Sequence, residues 1–414
     1  MSESKARGKA VNHMPLAGIR VLTVDNYFAG NYGPLLLAAH GAEVIKIEQP
    51  GSGDPLRKDA PYFDADTKKL PHGVLRLMRG KSSVALDVRK DPGKSVMREL
   101  IGCADVFWTN LRPQAAKRID LDPETVQGLN PNIIYASVSG FGLPGEKASP
   151  FSNEPAFDII IQALTGLMSR NADPDGTPQY SGLAVGDQVT SLFAAFGVVM
   201  SLYARKLGMP AASVDVAMFD AMFALNEKTF SLFAMDGVVR PPRISATNSP
   251  FGAYRGKDGY LVIGVGGNIL WERFCKAIGR DDLWTREDLN TGVKRVNLEK
   301  SVVRPCIEEW LRDRTVREAS QILLAHEVPS SPILDVDSPI YLEQARIRGV
   351  AANLDVPGKP PLTLVQSPVR MWDQEPTNLP MPPALGEHTE HILREWLKMD
   401  DNRIASLRQA GAIN

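Results

Sequence analysis

From residue 18 to residue 140, short β-branched runs alternate with helix-forming stretches, and few folds accommodate that alternation. Residues 18–24, 43–48, 83–88, 104–109 and 133–138 carry the Val- and Ile-rich pattern of strands. Between them, 33–40, 92–101 and 123–129 read as helices, the first closed by Gly41. Strands joined through helices favour parallel pairing, because a parallel connection must travel back along the sheet before the next strand begins. A parallel sheet buries both faces, so the chain is predicted to be α/β with helices on both sides. Residues 213–216 supply a sixth strand.

Two long helices are predicted next. Residues 155–169 place Ile160, Ile161, Leu164 and Leu167 on one apolar stripe. Residues 188–205 space Leu192, Phe193, Phe196, Val199, Met200 and Tyr203 for burial. The Met-, Phe- and Ala-rich segment 218–236 has the composition of core or interface rather than of a ligand box. Residues 240–243 read as a linker. Beyond it a strand at 259–264 and a helix at 271–278 open a smaller domain. Residues 330–337 and the proline-rich 357–384 read as loops, and 390–409 as a charged helix. At 414 residues the chain exceeds one typical core.

A formal net charge of -1 supplies no global field for nucleic acid or a membrane surface, so neither is an expected partner. An anionic ligand therefore needs a local cluster of bases. The three cysteines, Cys103, Cys275 and Cys306, lie far apart and form no CxxC, and the six histidines show no ligand spacing. Neither a disulfide framework nor a bound metal is expected, and a reducing cytoplasm suits this usage. The polar start lacks an apolar signal core, and no uninterrupted apolar run reaches transmembrane length.

Open parallel sheets bind ligands at the carboxyl ends of their strands. The turn after the first strand, 25–33, carries no GxGxxG, and neither a Walker GxxxxGK[ST] nor a GxSxG elbow occurs. Dinucleotide, P-loop and α/β-hydrolase chemistry are disfavoured. Bases do gather near strand ends: Arg79 and Lys81 flank the third strand, Arg89 follows it, and Arg112 and Arg118 follow the fourth. They form either a site for a phosphorylated nucleotide, since guanidinium pairs well with phosphate, or a solvated basic face. Asp187, after Gly186 and before a long apolar helix, also has two readings. Asp is a favoured N-cap. The positive end of a helix also keeps a carboxylate ionised, and only the ionised form attacks a carbonyl. Asp158, at an earlier helix start, reads as a cap or an ion-pair partner. His326 and His388 have no partner evident from spacing.

Seven stretches, in order, resemble the class III CoA-transferases. That family (CaiB/BaiF type) includes formyl-CoA and carnitine CoA-transferases and the related α-methylacyl-CoA racemases. The stretches are residues 15–22, 41–48 with 51–57, 79–87, Asn110-Leu111-Arg112-Pro113 with Arg118, 131–142, Phe157-Asp158 with Gln162-Ala163, and 385–389. The resemblance implies that Asp187 is the nucleophile of a CoA-transferase, attacking an acyl-CoA to give a mixed anhydride and then an aspartyl-CoA thioester. Backbone N–H groups would stabilise the developing charge. Coenzyme A, as acyl-CoA, and a small carboxylic acid are then the implied substrates. Arg112 and Arg118 match CoA-binding positions, with Asn110 and Leu111 in the same turn. Leu86, Asp87, Val88 and Arg89 match the border of the CoA adenosine, and Ala29 lies near the thioester end.

The resemblance also implies a Rossmann-like large domain built from both chain ends, an inserted small α/β domain, and two subunits interlocked as a homodimer. The expected division is a tail over 1–14, large domain over 15–216, helical linker over 217–244, small domain over 245–330, and a return to the large domain over 331–414. Departures refine the activity. The racemases carry a His where Phe157 stands here, and Phe cannot transfer a proton, which favours CoA transfer over racemisation. A racemase or epimerase with a replaced acid, and a non-catalytic CoA-binding scaffold, are the alternatives; the intact Asp187 argues against the scaffold. Formyl-CoA-type members carry Gln where Phe28 stands and a glycine-rich loop that 264–267 matches poorly, which disfavours a formyl or oxalyl substrate. Ser82 and Gln114 replace a usual base and a usual Gly.

Overall fold

The computed structural model describes residues 14–64, 69–145, 149–210, 212–242, 245, 247–371 and 379–414. Almost all of the expected tail, residue 243 of the linker and part of 357–384 lie outside the described residues. Six strands form one sheet: β1 (Arg20–Val24), β2 (Glu43–Glu48), β3 (Lys81–Ala85), β4 (Val106–Thr109), β5 (Ile134–Ser139) and β6 (Val214–Ala217). Their spatial order is β3-β2-β1-β4-β5-β6, and every neighbouring pair is parallel. This is the doubly wound order, with its topological switch point between β1 and β4.

Successive side chains on a strand go to opposite faces, so each strand feeds two cores. Leu22, Ile45, Phe107 and Tyr135 pack in one core with α2 (Asp91–Cys103) and the helix Thr389–Leu397. Val21, Val44, Trp108 and Ala136 pack in the other with α1 (Tyr27–Ala39), α3 (Asp158–Leu164) and α4 (Val185–Lys206). Each fully buried Val, Leu or Phe stabilises the fold by roughly 1.5–3 kcal/mol, which is why continuous apolar runs such as Val106-Phe107-Trp108 mark a sheet covered on both sides.

Several expectations need correction. The helix predicted over 155–169 is two, α3 and Leu167–Arg170, parted where Gly166 takes φ 76°. Of its predicted stripe Ile161 is buried, while Ile160 and Leu164 are exposed. On α4 the predicted buried face is reversed: Leu192, Phe193, Phe196, Val199, Met200 and Tyr203 are exposed. Gly186, Thr190, Ser191, Ala194, Ala195, Gly197, Val198 and Ser201 are the buried ones. Small side chains let the helix axis approach the sheet; a Cβ on Gly197 would lie 2.6 Å from Val214 Cγ1. Ser191 Oγ accepts the Gly33 N–H at 2.6 Å, tying α4 to α1. By length and composition α4 would suffice to cross a bilayer, contrary to the sequence reading; here its small-residue face is core.

The segment 218–236 breaks at Asn226 into Met218–Leu225 and Glu227–Asp236, and Asn226 Nδ2 donates to Thr165 O at 3.1 Å. Residues 390–409 break at left-handed Lys398 into Thr389–Leu397 and Asp401–Gln409. Ser330–Pro332 and Leu362–Val365, expected as loops, are short strands pairing with Tyr260–Gly264 and Ala351–Leu354. The third strand starts and ends earlier than predicted, which frees residues 86–89 to form a loop at its carboxyl end.

The chain divides into two compact units. The larger comprises residues up to Met168, Tyr180–Phe230 and Glu343–Asn414, and contains the parallel sheet. The smaller comprises Ser169–Gln179 and Ser231–Leu342. It holds an antiparallel sheet with Tyr260–Gly264 between Phe251–Arg255 and Ser330–Pro332, over a core of Trp271, Phe274, Leu289, Ile307 and Leu323.

Candidate active site

The carboxyl ends of β1 and β2 rest on a buried polar network. Lys46, on β2, is wholly buried and pairs with Asp25 and with Asp54, the latter at 3.0 Å. Asp54 also accepts from Asn31 Nδ2 at 2.8 Å and from the backbone N–H of Tyr27 at 3.3 Å. Glu48 accepts from Arg57 at 2.7 and 2.6 Å, from Ser83 Oγ at 2.5 Å and from the Asp54 N–H at 3.0 Å. Burial alone would drive Lys46 toward neutrality, but Asp25, Asp54 and Glu48 outweigh it and hold the ammonium above the usual lysine range. Glu48 is likewise buried, yet Arg57 and Lys46 hold it down at about 2.

This network is built from residues of 43–48, 51–57 and 79–87, and it corrects one expectation. Lys81 is no ligand base: it stands at the amino end of β3, away from where ligands bind, and donates to Asn31 O and Oδ1 at 2.9 Å each. With no carboxylate in direct contact among the described residues, burial lowers it to about 7. Arg79 is also buried, donating to Arg76 O at 3.2 Å and Val365 O at 2.7 Å.

A cleft of about 450 Å³ opens at the carboxyl ends of β1, β2 and β3. Five of the predicted residues line it: Leu86, Val88, Arg89, Leu111 and Arg118. Asp87 lies buried beside them and clasps Arg89 at 2.9 and 3.1 Å, which holds its carboxyl well below the usual range. Asn110 staples the turn after β4 to the turn after β1. Its Oδ1 accepts the Asn26 N–H at 2.9 Å and its Nδ2 donates to Asn26 O at 2.8 Å, across the switch point. Arg112 is exposed and outside the cleft lining, with its carbonyl accepting the Ala115 N–H at 2.8 Å. Ala29 is buried in the first turn of α1. Sequence reasoning passed over Asp25, whose buried Oδ2 at the edge of this cleft has no hydrogen-bond partner among the described residues. An acid where a dinucleotide turn would have glycine was the available signal.

Asp187 is the third residue of α4, and it does not cap that helix. The N-cap position is Ala184, which offers no side-chain bond. Asp158 of α3 does the capping from outside: Oδ1 accepts the Gly186 N–H at 2.5 Å and the Asp187 N–H at 3.3 Å, while Oδ2 accepts from Gln162 Nε2 at 2.5 Å. Gly186 is required for this approach, since a Cβ there would sit 2.8 Å from Asp158 Oδ1. The helix-end donors are thus spent on Asp158. Asp187 keeps the neighbouring negative charge and its own half-burial, and its side chain makes no hydrogen bond among the described residues. Burial first, and the Asp158 charge second, push its carboxyl up to about 7. The helix-end N–H groups of Gly186 and Asp187 therefore bond to Asp158 and not to the Asp187 carboxylate. Tyr180 bonds to Asp158 as well, and burial plus the two carboxylates raise its phenol.

The sheet is doubly wound, with a cleft lined by Arg89 and Arg118 at its carboxyl edge, and Asp187 stands in the first turn of α4. The sequence matches the model of CoA-transferase family III over residues 16–389. It is 31% identical over 398 residues to a succinyl-CoA:mesaconate CoA-transferase of Haloarcula marismortui, covering 94% of this chain and 99% of that protein. It is 30% identical over 426 residues to a formyl-CoA:oxalate CoA-transferase of Rhodopseudomonas palustris, covering 96% and 97%. The crystal structure of a CAIB/BAIF family protein from Brucella suis superposes with a TM-score of 0.78 at 26% identity, covering 93% of this chain and all of that one. The chain belongs to CoA-transferase family III and is an enzyme of that class.

Proposed function

We propose that the enzyme moves CoA from an acyl-CoA donor to a small carboxylic acid through Asp187. The observation that carries this reading is the Asp158–Asp187 arrangement. It provides a carboxylate that is made basic by burial and a like charge, yet has no hydrogen bond among the described residues to hold it back from attack. In the first step Asp187 attacks the thioester carbonyl: a C–O bond forms, the C–S bond breaks, and a mixed anhydride and CoA thiolate result. The thiolate attacks the aspartyl carbonyl, releasing the donor acid as its carboxylate and leaving an aspartyl-CoA thioester. The acceptor carboxylate then runs the same two steps in reverse, giving the new acyl-CoA and free Asp187. No proton is consumed and no redox partner is needed.

Arg89 and Arg118, facing the cleft at the carboxyl edge of the sheet, suit the phosphates of CoA, with Leu86, Val88 and Leu111 against the adenine end. Asp87 and Asn110 position that loop and turn, and Arg112 and Ala29 contribute nearer the pantetheine arm. The large apolar side chains exposed along α4 support an interlocked homodimer, with a second copy covering them. A cytoplasmic location, and the absence of metal, nucleic-acid and membrane partners, complete the reading. Phe157, at the place of the racemase His, argues against α-proton exchange.

The test is an acceptor screen with succinyl-CoA as donor, read by mass spectrometry, followed by hydroxylamine trapping. Asp187 is expected to become the modified residue and Asp187→Ala to lose exchange while retaining CoA binding. Exchange by Asp187→Ala, or an unmodified Asp187 peptide during confirmed turnover, would overturn the assignment.

A further inference from the structure

Two exposed aromatic residues, Tyr27 and Phe157, meet next to Asp158, the carboxylate that binds the backbone of the Asp187 turn. Tyr27 has φ 57°, a left-handed conformation that non-glycine residues adopt rarely and at a cost. The buried network holds it there: its N–H donates to Asp54, and its carbonyl accepts from Asn31 Nδ2 at 2.7 Å. The residue is left 46% exposed. Phe157 meets it edge to face, with centroids 6.4 Å apart and planes at 81°. Phe157 occupies the N-cap position of α3, where it supplies no cap bond, and is 66% exposed. A Ser, Thr, Asp or Asn would serve the helix better there. The next residue is Asp158, whose carboxylate touches the backbone of Gly186 and Asp187.

The electrostatics point the same way. Among the described residues, the charge acting on Asp187 is the negative charge of Asp158, and the phenol of Tyr180 adds no positive one. A second carboxylate on an incoming acid would meet repulsion there rather than a partner. A flat apolar group would instead find the face of one ring and the edge of another, the geometry aromatic pairs favour.

We propose that Tyr27 and Phe157 form the acyl-group site and select aromatic monocarboxylic acids over dicarboxylates. This rests on the reading of Asp187 as nucleophile. The test measures kcat/KM of the full chain for CoA transfer from acetyl-CoA to phenylacetate, succinate and propionate. Wild type is expected to favour phenylacetate over succinate by roughly tenfold or more, a difference of the size that ring stacking and an unpaired charge produce. Phe157→Ala leaves α3 without loss of any cap bond, and Tyr27→Asn keeps a residue that tolerates the left-handed backbone. Each should lower kcat/KM for phenylacetate about tenfold while holding propionate within about twofold. A wild-type preference for succinate, or an equal loss for phenylacetate and propionate in both variants, would overturn the proposal. Asp187→Asn run alongside separates the two readings, because its activity bears on the nucleophile and the acceptor order bears on the rings.

Discussion

Asp158→Asn probes the electrostatics of the nucleophile directly. In the wild type the Asp187 carboxyl titrates at about 7. Roughly a tenth of it is then ionised at pH 6 and nine-tenths at pH 8, so kcat/KM should climb about tenfold across that interval. Asparagine keeps an oxygen to accept the Gly186 N–H but removes the charge. The midpoint should fall toward the ordinary carboxylate range, though not the whole way, because burial is the larger cause and stays. If the midpoint falls by about one pH unit, activity at pH 6 should rise roughly fivefold while activity at pH 8 barely changes. The assay is kcat/KM against pH with one donor and one acceptor. A wild-type profile that is flat from about pH 6 to 8, or a variant with an unmoved midpoint, would refute the like-charge account.

Four further outcomes follow from the same structure. A raised folded-state value means the folded chain binds the Asp187 proton more tightly than the unfolded one, so stability falls as pH rises from the unfolded value to about 7. Asp187→Asn should therefore be more stable than wild type at pH 8, by at most about 4 kcal/mol, with the gain shrinking toward pH 4 in urea melts. Lys46→Met leaves Asp25 and Asp54 buried without their cation and should cost about 3–5 kcal/mol by chemical denaturation; a neutral result would mean the pairs contribute nothing. Arg118→Ala should weaken CoA binding about tenfold in calorimetry and reduce its salt dependence, with unchanged affinity counting against the cleft. Phe196→Glu, on the exposed face of α4, should shift sedimentation toward the monomer; an unchanged assembly would exclude that face from the contact.

The parallel sheet was legible because it needs long apolar strands, and apolar strands leave a strong mark. All six were placed within a few residues of their true positions. Helix breaks were less legible. Gly166, Asn226 and Lys398 interrupt patterns whose hydrophobic spacing runs straight through them. The buried face of α4 was misread because size outweighs hydrophobicity where a helix must lie close to a sheet: Ala, Ser and Gly face inward and the large residues face out. In the site, Arg89 and Arg118 line the cleft at the carboxyl edge of the sheet, while Arg79 and Lys81 stand at or before the amino end of β3, where they donate to protein oxygens instead of facing the cleft. The capping reading of Asp187 fails: the capping belongs to Asp158, twenty-nine residues away in the chain.

Composition and local pattern alone determined an α/β chain with a parallel sheet, and the ordered motifs named the candidate nucleophile. Periodicity and residue type act over a few neighbours, so they reach no further. Tertiary structure decided which carboxylate takes the helix-end donors, which lysine is buried beneath the first turn, and that Tyr27 meets Phe157. Those outcomes depend on groups distant in sequence competing for the same donors and the same space.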